Sequence, residues 1–435
     1  MAFAVQKSSI DFVEKQYHDY PYPHRNPQDE RERFLFTNID DLATINHYCF
    51  RGQKDWQKGF RALVAGGGTG DSTIHLAEQM RELDGELVHL DLSQPSIEIA
   101  KERAQIRNLK NIRWIQGSLL DLDSLDLGKF DYINCVGVLH HLPDPAEGLA
   151  KLRAVLNEEA AIGLMFYGKY GRTGVYQVQD LLKSIAKGEE NIENRIQLAR
   201  QVLEILPESN WFRRGEKMYD DVKTMKDAEI LDLFLHKIDR AFSILELYEL
   251  LQQNDLTLAE FLPRTRPFYD PKMAFTDAEV LERVRHLPHE QQQSCTELFW
   301  GTIKTHDFWA STVSDSMADF HDTENIPFFS RVAEITNAAE SIRTHLEDHW
   351  SMKVELTGGI ALHLELDLNP VSRGFVELVD NTQSVAEILN RLSTEFADDY
   401  SPDEIREICN TVFECFRSHD MMLLRGRHTI KLSTR

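Results

Sequence analysis

Between residues 60 and 167, short runs of apolar residues alternate with stretches in which apolar positions return every third or fourth residue. The runs predict strands at 61–65, 86–91, 112–116, 130–136 and 160–167, and the periodic stretches predict the helices between them. Strand and helix in strict alternation imply parallel pairing, because a helical crossover carries the chain back to the same end of the sheet. The pattern then changes. Residues 172–240 hold helical periodicity, clearest at 192–206 and 228–238, and read as a helical cap inserted into the α/β domain. A helix at 243–253, a strand at 256–262 and one more strand at 298–306 resume the earlier style and close that domain near residue 312.

The remaining hundred residues are of another kind. A polar link at 315–325 leads to a strand at 356–366, helices at 384–396 and 402–419, and a short apolar run, Met421-Met422-Leu423-Leu424. The expected organisation is an arm or lid over 1–58, an α/β domain over 59–312 with its cap at 172–240, and a small α+β unit over 326–435.

The chain has 435 residues, 42% hydrophobic and 27% charged, so it can bury more than one core. No apolar stretch reaches the roughly 18 residues of a membrane span, and the N-terminus lacks the order of a signal peptide, so a cytoplasmic protein without membrane contact is expected. Five scattered cysteines, with no Cys-x-x-Cys pair, argue against a disulfide framework or structural zinc, and no metal site is expected. A formal charge of -23 disfavours nucleic acid as a partner. The oligomeric state is not legible.

Candidate chemistry gathers at the ends of the first four strands. Leu63-Val64-Ala65 runs into Gly66-Gly67-Gly68-Thr69-Gly70, a turn whose glycines let the backbone bend sharply and leave no Cβ in the way of a ligand. The dinucleotide pattern G-x-G-x-x-G fails, because its sixth place is Asp71, which shifts the reading from a nicotinamide cofactor toward S-adenosylmethionine. The second strand ends in Asp91-Leu92-Ser93, where a carboxylate is placed to accept both ribose hydroxyls of a nucleoside. The competing reading of Asp91 is a cap of the helix that follows. The third strand ends in Gly117-Ser118-Leu119, where an adenine would meet apolar side chains and loop backbone. The fourth is Phe130-Asp131-Tyr132-Ile133-Asn134-Cys135-Val136, continuing Gly137-Val138-Leu139-His140-His141-Leu142.

These four elements, in this order and spacing, resemble the class I S-adenosylmethionine-dependent methyltransferases over roughly residues 60–165. The resemblance implies a Rossmann-like α/β fold, S-adenosylmethionine as cofactor, Gly66, Gly67, Gly68 and Gly70 in its turn, and Cys135 to Val138, with Cys135 and Val136 foremost, beside the sulfonium. One departure stands out: the acidic residue usual just before the glycines is replaced by Ala65 or Gly66, so the contact to the methionine amino group is missing or supplied elsewhere. His140, after the fourth strand, is the candidate general base, against a structural histidine closing the loop. Tyr167, Tyr170 and Arg172 suit a gate over the substrate or ordinary packing.

The arm carries Gln16-Tyr17-His18-Asp19-Tyr20-Pro21-Tyr22-Pro23-His24-Arg25, similar to a segment ahead of the glycine turn in a group of bacterial methyltransferases. Its prolines stiffen it as a lid. Arg25 is then read as a partner for the methionine carboxylate or an anionic substrate and Tyr17 as a contact to the reacting centre. An arm merely stapled to the core explains the same residues. In the cap, His236, Asp239 and Arg240 are expected on one helical face. The C-terminal unit resembles the winged-helix domains appended to some bacterial protein methyltransferases, and it is similar to the small peptide-chaperone fold of pyrroloquinoline-quinone biosynthesis. Its acidity favours protein or peptide contact over DNA. The resulting expectation is methyl transfer to a protein side chain or a small-molecule acceptor, with a non-catalytic sensor or scaffold that binds S-adenosylmethionine as the alternative and a nicotinamide-dependent oxidoreductase as a weaker third reading.

Overall fold

The computed structural model describes residues 15–216, 219, 222–345, 348–355 and 361–429. The start of the arm at 1–14 and the first part of the strand expected at 356–366 therefore lie outside the described residues. The chain divides into two compact units, one of residues 1–40 with 59–312 and the other of 41–58 with 313–435.

In the first unit, strands β1 (Phe60–Ala65), β2 (Gly85–Asp91), β3 (Ile112–Gln116), β4 (Phe130–Val136), β5 (Leu156–Tyr167), β6 (Thr257–Phe261) and β7 (Thr305–Ser311) form a seven-stranded sheet. Their order is β3-β2-β1-β4-β5-β7-β6, with the first five parallel and β7 antiparallel to both β5 and β6. Helices on the sheet's faces bury the central strands, which is why β1 and β4 read as nearly unbroken apolar runs and why Leu63, Val88, Ile133 and Leu164 are fully buried. The strand order reverses between β1 and β4. At such a switch point the loops leaving the two strands diverge and open a crevice at the strands' carboxyl ends.

The inserted segment builds its own small core from Val175, Val178, Leu182, Ile196, Ala199, Leu203, Phe212 and Phe234. Helices Thr173–Ile185 and Ile192–Ile205 follow the periodicity, but the helix expected through residue 238 does not run that far. One α-helical turn, Asp227–Ile230, widens into a π-helical turn, Leu231–Leu235, and His236 is already extended at φ -60° and ψ 135°. Asp239 is held away from helical geometry because its carboxylate accepts from Arg172, Tyr176 and Gln179. The strand expected at 298–306 is also displaced. Residues His289–Trp300 are helical, Gly301 ends the helix at φ 61°, and the strand begins only at Thr305. The apolar triplet Leu298-Phe299-Trp300 suggested extended structure, yet Leu298 and Phe299 are exposed on the helix.

The second unit is α+β. Strand β8 (Ile326–Phe329) pairs antiparallel with β11 (Met422–Arg425), and the hairpin of β9 (His349–Glu355) and β10 (Ala361–Asp367) precedes helices Pro370–Leu378, Val385–Glu395 and Pro402–Arg417. Capping boxes Ser384/Glu387 and Ser401/Glu404 start the last two helices. Val371, Phe375, Ile388, Leu392, Val412 and Phe413 form its core, which Ala318 and Phe320 of the polar link also join. Residues 41–58, grouped with the arm in the sequence reading, pack here instead. Helix Leu42–Cys49 is anchored by the Tyr48 hydroxyl donating to Asp420 at 2.6 Å and by His47 Nδ1 accepting from the Leu424 amide at 3.1 Å. Among the described residues no helix is long and apolar enough to cross a membrane.

Candidate functional site

A cavity of about 460 Å³ lies at the switch point, lined from β1 by Val64 and Gly66–Gly68, from β2 by Asp91 and Leu92, and from β3 by Gly117–Leu119. Its volume falls within the roughly 300–1,000 Å³ of small-ligand sites. The glycine turn is fitted closely to its surroundings. Gly68 has φ +51°, and a Cβ there would stand 2.5 Å from the carbonyl oxygen of Tyr22. Gly66 has φ +78°, and its Cβ would run into the Val138 side chain. Both are backbone positions that L side chains rarely adopt. Gly70, also at positive φ, precedes helix Asp71–Gln79 and does not line the cavity.

Asp91 joins the first two strand ends. Its Oδ2 accepts from the Gly68 amide at 2.7 Å and its Oδ1 from the Ser93 amide at 2.8 Å. It is not a helix cap: Ser93 caps helix Gln94–Ile106 through the Ser96 amide. Burial pushes the Asp91 carboxyl up from its ordinary value while the two amides oppose the rise. Each carboxylate oxygen keeps a lone pair for a further donor. Ser118 is turned to its own loop, its Oγ accepting from the Leu120 amide at 3.1 Å.

On β4 the alternation of side chains separates neighbours. Asn134 and Val136 line the cavity, whereas Cys135 points to the other face and is fully buried in the core of the sheet. The turn after β4 makes a similar division. His140 is fully buried, its ring stacked on Tyr167 at 3.8 Å, and does not line the cavity; His141 does. Burial, and then the adjacent His141, hold the His140 imidazole well below its ordinary value, so it stays neutral.

Arg25 lines the cavity but its charge is engaged. Its guanidinium makes a forked contact to Asp71, 2.9 Å to Oδ1 and 2.6 Å to Oδ2. Asp71 also receives Arg103 Nη1 at 2.7 Å, and Arg103, almost wholly buried, reaches Glu30 at 2.7 Å and the Thr69 carbonyl at 2.7 Å. Although burial opposes it, the two guanidinium groups keep the Asp71 carboxyl below its ordinary value. This network, which motif reading missed, ties the arm to both helices that follow the first two strands. Further arm contacts complete the cover: Thr69 Oγ1 donates to Pro23 O at 2.7 Å and Ser93 Oγ to Tyr17 O at 2.8 Å.

A second group of polar side chains lines the cavity beyond β4 and β5. Tyr17 from the arm and Tyr167 from β5 each donate a hydroxyl to Asp232, at 3.1 Å to Oδ1 and 3.1 Å to Oδ2. His141 Nε2 stands 3.9 Å from Asp232 Oδ1. His141 Nδ1 lies 2.8 Å from the carbonyl of Ile238, which can only accept, so Nδ1 carries the proton and Nε2 of the neutral ring is a base. Burial first and the Asp232 charge second raise the Tyr17 and Tyr167 phenols well above their ordinary values, and Asp232 raises Tyr22 as well. All three phenols stay neutral, and Tyr17 and Tyr167 are the donors. His236, which left its expected helix, lies against His141 with ring centroids 3.8 Å apart, and Arg172 covers Tyr167 at 3.5 Å while pairing with Asp239 at 3.1 Å. Asp232 had no motif to announce it; the only signal was an acid on the apolar side of a cap helix.

Residues 63–162 match the family described as "Methyltransferase domain". An uncharacterized protein of Synechococcus sp. is 30% identical over 270 residues, which cover 61% of this chain and 63% of that protein. Demethylmenaquinone methyltransferase of Bacillus cereus is 28% identical over 141 residues, 30% of this chain and 59% of the enzyme. The chain thus spans less than two thirds of the length of these curated relatives. The structure of PKMT2 from Rickettsia typhi in complex with AdoHcy resembles this one with a TM-score of 0.60 at 15% identity, over 90% of this chain and 76% of that one. The family match over residues 63–162, the sheet order and the structural likeness agree on a class I methyltransferase-type, Rossmann-like fold.

Proposed function

We propose that the protein is an S-adenosylmethionine-dependent methyltransferase. The observation that carries the reading is the pairing of Asp91 with the glycine turn: a carboxylate with lone pairs to spare, beside a backbone on which a Cβ would collide, at the mouth of a cavity of about 460 Å³. Asp91 would accept the ribose hydroxyls, Leu92, Ser118 and Leu119 would flank the adenine, and Gly66 to Gly68 with Val136 would border the methionine portion. Arg25 holds the arm over the turn through Asp71 rather than meeting a ligand carboxylate, and Tyr17 positions Asp232. When bound, the cofactor supplies an electrophilic methyl group on a sulfonium whose departure leaves a neutral thioether. The residues' work is to align the acceptor in line with that methyl and to exclude water, because alignment, rather than strong acid or base catalysis, limits such transfers. His141 Nε2 is the group available to take a proton from an acceptor that must lose one.

Polypeptide side chains and small metabolites both remain in the substrate class, the second unit supporting the first and the helical cap the second. Methyl-labelled S-adenosylmethionine, incubated with the protein and cell extract, should leave label in either macromolecules or small molecules. Tight binding of S-adenosylmethionine with no labelled product in any fraction would instead support the non-catalytic sensor reading.

A further inference from the structure

The charges around the cavity do not balance, and the imbalance has one location. Arg25 is matched by Asp71, Arg103 by Asp71 and Glu30, and Arg172 by Asp239. Asp232 is buried, and among the described residues the basic side chain within 4.0 Å of its carboxylate is His141, whose neutral Nε2 lies at 3.9 Å. Its two oxygens accept from the neutral hydroxyls of Tyr17 and Tyr167, which orient the carboxylate without cancelling its charge. A buried charge left without an opposite charge is costly, and the natural complement is a cationic ligand. The carboxylate is carried on a π-helical turn, Leu231–Leu235, of a kind that recurs at functional sites.

We propose that the methyl acceptor is a primary or secondary amine, held as its ammonium ion by Asp232 and relieved of a proton by His141 Nε2. The proposal rests on the methyltransferase reading above. An anionic acceptor would be repelled by Asp232, and a neutral alcohol would leave its charge to the cofactor's sulfonium alone. An ammonium ion answers it and lies within reach of a base whose other nitrogen is already committed to the Ile238 carbonyl. The nitrogen first gives one proton to His141 Nε2. Its freed lone pair then forms the N–CH₃ bond as the methyl–sulfur bond breaks, and that bond's electron pair stays on sulfur. The product is a methylated ammonium ion, a neutral thioether and one proton held by the imidazole for release to water.

The test is calorimetric titration of the full chain saturated with S-adenosylhomocysteine. The probes are n-butylammonium and Nα-acetyl-lysine amide, each against its uncharged counterpart, 1-butanol and Nα-acetyl-norleucine amide. At least one cation should bind ten-fold or more tightly than its counterpart, and Asp232→Asn should remove that preference while S-adenosylhomocysteine binds as before. The tighter of the two cations tells whether a free amine or a lysine side chain is the source. His141→Gln should retain ammonium binding and lose methyl transfer to the bound amine. Equal binding of charged and uncharged probes, or binding of neither cation, overturns the proposal. So does an Asp232→Asn protein that loses affinity for S-adenosylmethionine but not for S-adenosylhomocysteine, since Asp232 would then answer the sulfonium. Failure of the unaltered protein to bind S-adenosylhomocysteine at all would instead sink the methyltransferase reading.

Discussion

Replacing Asp91 by alanine tests the cofactor site at its most exposed joint. The carboxylate accepts from Gly68 N at 2.7 Å and from Ser93 N at 2.8 Å, and the remaining lone pairs are those assigned to the two ribose hydroxyls. Hydrogen bonds to a charged group contribute about 1.5–3 kcal/mol each, so losing two at the lower figure weakens binding by about 3 kcal/mol. That corresponds to a Kd about a hundred-fold higher. Alanine also strands two backbone donors and loosens the glycine turn, which can only add to the loss. The Asp91→Asn variant keeps one acceptor oxygen but presents an amide N–H₂ toward backbone donors, so it should fall between, about ten-fold weaker if one ribose bond survives. The assay is calorimetric titration with S-adenosylhomocysteine, accompanied by denaturant unfolding of the ligand-free proteins to check that the fold persists. An alanine variant that remains folded and binds within about three-fold of the unaltered protein would refute the assignment, because two hydrogen bonds to a charged group are worth more than that.

Three more outcomes follow from the geometry. Gly68→Ala imposes a side chain at φ +51° and 2.5 Å from the Tyr22 carbonyl oxygen, costing about 1–3 kcal/mol in strain and displacing the arm; S-adenosylhomocysteine affinity should fall, and limited proteolysis should cut the arm faster. Arg103→Ala leaves Glu30 to Arg107 and Asp71 to Arg25, and the lost hydrogen bonds to these two carboxylates should show in a denaturant melt as about 3 kcal/mol. Away from the site, burial raises the Glu297 carboxyl from its ordinary 4.5 to about 7, beside His306 at 3.5 Å. A raised folded value means that stability is full below pH 4.5 and is lost as pH climbs through 7, by about 3 kcal/mol in all. Glu297→Gln removes that titration, so its stability relative to the parent should rise between pH 4.5 and 7. His306, pushed by burial down to about 4, titrates with the opposite sign, and its contact with Glu297 at 3.5 Å makes the measured difference a property of the pair. A difference that stays flat with pH would show that Glu297 is ionised throughout.

Much of the cofactor side was legible in the chain because it is local. A strand, a glycine turn and the next helix are contiguous, and the steric demand on Gly66 and Gly68 is written into residue type. Asp91 lies one βα unit further on, and parallel pairing of β1 with β2 brings its carboxylate to the Gly68 amide. The central parallel strands were readable because burial on both faces leaves a mostly apolar run, whereas the edge strand β3 is only partly buried.

What the chain order alone left open was decided by long-range packing. Whether His140 or His141 faces the cavity depends on the short turn after β4 and on the Ile238 carbonyl, almost a hundred residues away, that orients His141. Asp232 becomes part of the site only because the cap folds back to meet hydroxyls from the arm and from β5. Arg25 looked free for a ligand until helix Asp71–Gln79 presented Asp71 to it, and residues 41–58 looked like more of the arm until Tyr48 met Asp420. Periodicity and residue type report which face of an element is buried and which backbone conformations are allowed. They carry no information about which distant partner neutralises a charge, since that is settled by the energy of burying the whole assembly at once.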